Sequence, residues 1–94
     1  MPEMRFVILW PDGQPESCYS PSLVIKDHLK VGETYELADF LTLCRTALTI
    51  ASDRVEAKYG RPCALALGQL ASIERRGRSF PENSGGVRVV SFEE

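Results

Sequence analysis

Apolar residues fill both parities of the first segment that looks extended. In MRFVILW, Phe6, Ile8 and Trp10 fall on one side of a strand and Val7 and Leu9 on the other. Such a run of β-branched and aromatic residues predicts a strand from Met4 to Trp10. Pro11, Asp12 and Gly13 then supply a fixed φ, a side-chain acceptor and a residue free to take positive φ, which is turn chemistry. A short polar return strand over Glu16–Ser20 completes a β-hairpin, with the polarity of an edge strand. A sheet covered on one side alternates cleanly, so a strand apolar on both faces predicts cover on the second face, from a loop or another molecule.

The stretch from Ser22 to Tyr35 has no clean period and reads as an irregular arm packed on the sheet. From Glu36 to Tyr59 the period turns helical: Leu37, Leu41, Cys44, Leu48, Ala51, Val55 and Tyr59 form one stripe, widened by Phe40, Leu43, Ala47 and Ile50. Asp39 and Lys58 suit the two ends of the helix dipole, and Gly60 is placed to stop the helix. A second helix is expected from Pro62 to Arg76, with Cys63, Ala66, Leu67, Leu70 and Ile73 inward and Gly77 ending it. Residues 81–86, PENSGG, read as a loop, and Val87–Phe92 as the last strand. The order β-β-α-α-β predicts an α+β fold: a three-stranded antiparallel sheet, order 2-1-3, with an antiparallel helical hairpin on one face. Leu41, Leu48, Val55 and Leu70 are expected in the core.

Composition narrows the classes without naming a function. Ninety-four residues, 44% hydrophobic and 26% charged, suit a single domain over 1–94 with one core, and are too apolar for disorder. The net charge of −2 gives no general attraction to nucleic acid or to an anionic membrane. No run approaches the ~20 residues of a membrane span, and the N-terminal segment, with an acid at Glu3, lacks the features of a signal peptide. Three widely spaced cysteines, Cys18, Cys44 and Cys63, fit a reducing cytoplasm better than a disulfide framework.

Candidate chemistry centres on CYSPS, residues 18–22. Cys18, Tyr19 and Ser20, with His28 as the single histidine, form a candidate ligand contact or minor active site. A nucleophilic cysteine needs a base in reach and a group orienting that base. No motif marks the orienting group, and Pro21 biases Ser20 toward an extended strand exit, so a strand end with a proline-governed turn is the expected reading. The cysteines and His28 lack the paired spacing of zinc ligands, so no metal and no cofactor are expected; Cys44 and Cys63 are expected to face each other between the helices. Arg75 and Arg76 sit where they complement a helix C-terminus, and also where an acidic partner could meet them. Arg5, Val7 and Leu9, pointing away from the helices, form the other candidate binding face.

WPDG, CYSPS, the ADF that opens the long helix and the later AKYG, in this order and separation, resemble a family of small bacterial nitrogen-starvation response proteins. The resemblance covers Met1 to about Phe92, and RFVILWPDG followed by CYSPS is its most specific part. It implies genes beside those for a nitrilase-type enzyme, a radical-SAM protein, an acetyltransferase-like protein and a flavoprotein, and a role in handling a nitrogen-containing metabolite. It supplies no catalytic residues. The resulting expectation is a non-enzymatic cytoplasmic accessory or regulatory protein that binds a protein partner from its gene cluster or a second copy. The alternatives are a small-molecule binder or minor enzyme using Cys18 and His28, and a nucleic-acid-binding regulator.

Overall fold

A computed structural model describes residues 2–81 and 83–94, so Met1 and Glu82, the latter in the expected PENSGG loop, lie outside the described residues. The chain forms β1 (Met4–Leu9), β2 (Pro15–Ser20), α1 (Ile25–His28), β3 (Thr34–Glu36), α2 (Leu37–Tyr59), α3 (Ala64–Arg78) and β4 (Gly86–Glu93). The described strands make one antiparallel sheet in the order β2-β1-β4-β3. The α+β class and the inner place of the N-terminal strand agree with the sequence. The three-stranded order does not, because the arm contributes both α1 and β3. Two β-ladder-like bonds decide this. The Gly32 amide donates to the Val89 carbonyl (2.8 Å) and the Val89 amide donates to the Glu33 carbonyl (3.0 Å), so the turn after α1 zips onto β4 before β3 begins. Three residues of TYE show no period long enough to be read from sequence.

The helices lie on one face. Met4, Phe6, Ile8 and Trp10 of the first strand segment, Cys18 of β2 and Val87 and Val89 of β4 are buried against Phe40, Cys44, Leu48 and Ile73. The arm closes the same core from one end: Val24, Ile25 and Leu29 are buried, and Arg54 of α2 donates to the Ser22 hydroxyl at 3.1 Å. It therefore does not fold over the opposite face of the sheet. A bulge between Val7 and Ile8 leaves Val90 opposite no β1 residue, so Arg88 and Val90 both point outward while Val87 and Val89 point in.

The long helix matches its expected span, and Gly60 caps it in the left-handed conformation with φ 82°. Its buried line is Leu37, Phe40, Cys44, Ala47, Leu48 and Ala51, rotated from the stripe read in sequence. Leu41 and Val55 are half-buried rather than core, and Tyr59 is exposed. The second helix starts at Ala64, and the Ser52 hydroxyl of α2 accepts from the Cys63 amide (3.1 Å), satisfying a donor at its N-terminus. Gly77 does not end α3. It is buried in the last turn, where an added Cβ would sit 2.6 Å from Leu41 Cδ2, so glycine allows the helices to touch there. Leu41 meets Gly77, Arg45 pairs with Glu74, and Ser52 meets Cys63, so α2 and α3 pack side by side in opposite senses. Leu67, expected inside, points to solvent.

Candidate functional site

The residues of CYSPS do not converge on one site. Strand alternation puts Cys18 and Ser20 in the core and Tyr19 on the outer face. Cys18 pairs with Phe6 across the ladder and is fully buried, with Sγ 3.9 Å from Glu16 Oε2. Burial, then the Glu16 carboxylate and the neighbouring Cys44 thiol, push the Cys18 thiol far above its ordinary range. Burial does the same to Cys44. Cys44 thus neighbours Cys18 in the core; Cys63 sits half-buried at the start of α3 and influences Tyr19 instead, so the expected Cys44–Cys63 apposition is not formed.

The Ser20 hydroxyl donates to the Ser22 carbonyl (2.7 Å) and accepts from the Ser22 amide (3.2 Å). Both bonds fold the chain around Pro21, a strand exit held by a local side-chain turn. The Tyr19 hydroxyl donates to Glu3 Oε2 (3.1 Å), and burial together with that carboxylate raises the phenol above its ordinary range. His28 lies half-buried at the end of α1, and among the described residues no hydrogen bond joins it to Cys18, Tyr19 or Ser20. These groups therefore make no nucleophile–base pair as arranged. A thiol-specific reagent such as a dinitrobenzoate disulfide at pH 8 should modify Cys63 first. Cys18 and Cys44 should react only as fast as the fold opens, because reaction needs the thiolate that burial disfavours. Rapid loss of the Cys18 thiol in the native protein would contradict its burial.

The arginines divide. Arg76 is turned inward over the hairpin: its guanidinium lies 5.6 Å from the Trp10 ring centroid and 6.0 Å from Phe80, within 3.5 Å of Asp12 Oδ2 and 3.9 Å of Glu16 Oε1. Trp10 Nε1 donates to Glu16 Oε1 (2.9 Å), so PDG and the start of β2 are tied to the end of α3 through one tryptophan. Arg75 remains exposed. This lock was not legible in the sequence, because Arg76 and Trp10 are far apart along the chain.

On the outer face of the sheet, Val7 is flanked across the ladder by Ser17 and Ser91, and Leu9 by Pro15 and Arg88. Arg5 lies between Tyr19 and Glu93, stacked 6.0 Å over the Tyr19 ring. The apolar centre is Val7, Leu9 and Val90, the last 40% exposed, with Arg5 and Arg88 at its margins. Among the described residues, α1, α2 and α3 lie on the other side.

Comparison with known families finds the one described as nitrogen starvation-induced protein NitG, matched over residues 5–92. No curated protein and no solved structure matches the chain. Among the described residues no helix is long and apolar enough to cross a membrane.

Proposed function

The chain belongs to the nitrogen starvation-induced NitG family, and from that premise we propose that it is a cytoplasmic accessory protein that binds an enzyme of the starvation response. The observation that carries this reading is the outer face of the sheet, where Val7, Leu9 and Val90 lie in the middle of a central strand pair with, among the described residues, no helix over them. The residues that would do chemistry support it from the other side. Cys18 and Ser20 are buried and engaged locally, and His28 is elsewhere. Three unpaired thiols agree with a reducing compartment.

The test uses the purified chain and the nitrilase-type enzyme that the family resemblance places beside it. Val7→Thr with Leu9→Thr keeps strand propensity while removing apolar area. The double variant is expected to retain the native far-ultraviolet dichroism and to lose co-sedimentation with the enzyme. Unchanged co-sedimentation would remove the sheet face from the interaction.

A further inference from the structure

A surface helix normally turns a polar face to water. The outer face of α3 does not: from Pro62 to Ile73 the chain carries no charged residue, and Ala64, Leu65, Leu67, Gly68 and Ala71 are all exposed, Leu65 at 68% and Leu67 at 43%. Gly68 sharpens the point. It sits mid-helix, where glycine weakens a helix relative to alanine, and a Cβ built there meets nothing within 4 Å. Gly77 is required by Leu41, but nothing among the described residues requires Gly68. A groove of about 540 Å³ runs beside this face, walled by Arg5, Glu16 and Tyr19 of the hairpin opposite Leu65, Gly68 and Gln69.

We propose that the outer face of α3 and this groove dock an amphipathic helix of another protein, apolar in its middle and acidic at its ends. Charge selects the occupant. The uncharged stretch is bounded by exposed Arg61 before it and exposed Arg75 and Arg78 after it; among the described residues neither Arg61 nor Arg75 has an ion-pair partner, and Glu74 is taken by Arg45 and Arg78. A second copy laid on the same face would set arginine against arginine in either direction, which disfavours self-association. Strand addition to the β2 edge is opposed by the backbone: Pro15 has no amide hydrogen, and the Tyr19 amide already donates to Gln69 Oε1 at 2.9 Å. A helix needs no edge donors; it needs an apolar bed with room for close approach, which Gly68 provides.

The inference rests on the reading of the chain as a binding protein but uses other residues, so failure of the Val7 and Leu9 variant leaves it standing. The probe is a pair of synthetic helical peptides with one leucine–alanine face, one ending in glutamates and the other in lysines, titrated into the isotope-labelled full chain and followed by amide chemical shifts. The glutamate-ended peptide should perturb residues 61–78, and the lysine-ended one should bind at least about tenfold more weakly. Gly68→Leu should raise the melting temperature, through better helix propensity, while abolishing peptide binding, a combination a purely structural role for Gly68 does not give. Leu65→Glu should stay folded and also lose binding. Equal affinity for both peptides, perturbation confined to other surfaces, unchanged binding by Gly68→Leu, or a sedimentation profile in which Leu65→Glu dissolves a dimer of the wild-type chain would each overturn the proposal.

Discussion

Trp10→Ala is expected to remove about 3–5 kcal/mol of stability, the range for truncating a large buried aromatic. In a domain whose whole margin is of order 5–15 kcal/mol, that is between about a fifth and all of it. Trp10 is 2% exposed and joins β2, α2 and the end of α3. Its ring stacks on Phe80 (centroids 5.8 Å, 21°) and meets the edge of Phe40 (5.9 Å, 80°). Its Nε1 satisfies Glu16, and Arg76 lies over its face. Removing it loses apolar area and leaves the half-buried Glu16 carboxylate with only longer contacts, to Arg76 and to the Cys18 thiol, each at 3.9 Å. Trp10→Phe separates these parts: it keeps most of the area and loses the hydrogen bond, so it should cost about 1–2 kcal/mol. Urea unfolding followed by circular dichroism gives both values. Equal losses for the two variants would assign the stability to the Glu16 bond rather than to packing.

Leu48→Ala is the second large effect, expected at about 2–5 kcal/mol. Leu48 is fully buried in the middle of α2, in the same cluster as Phe6, Ile8, Leu70 and Ile73, so the space it leaves has walls from helix and sheet and cannot easily collapse. Leu41→Ala and Val55→Ala, on the same helix but half-buried, should cost clearly less, about 1 kcal/mol. At about 4–8 °C per kcal/mol for a domain of this size, thermal melts resolve the difference. A ranking with Val55 above Leu48 would mean that α2 is rotated from the placement described.

The contrast between these positions shows what periodicity resolves. A stripe of seven apolar residues over 23 helical positions marks the helix and, within a turn, its buried side. It does not distinguish Phe40 and Ala47, which are buried, from Leu41 and Tyr59, which are not. That difference depends on where β1 and β4 lie beneath the helix and on Gly77 drawing α3 close to Leu41. The same holds for the thiols: so short and polar a strand as β2 did not mark Cys18 as inward, and its neighbour Cys44, 26 positions away in the numbering, is brought to it only by tertiary packing.

By itself the sequence determined the α+β class, the first hairpin, the long helix with its glycine stop, the last strand and the inward set Phe6, Ile8 and Trp10, because each is written in short-range signals of period, turn chemistry and capping. Only the tertiary structure decided the fourth strand, the clasp of Arg76 over Trp10, and the exposure of Leu65 and Leu67 on α3. A three-residue strand such as β3 has no period to read; it exists because β4 offers an open edge once the turn at Gly32 has bonded to Val89. Which apolar residues of a short helix stay in water is likewise a matter of which sides its neighbours reach. Here α2 and the edge of β2 take the side of Ala66, Leu70 and Ile73, and the side of Leu65 and Gly68 is left facing out.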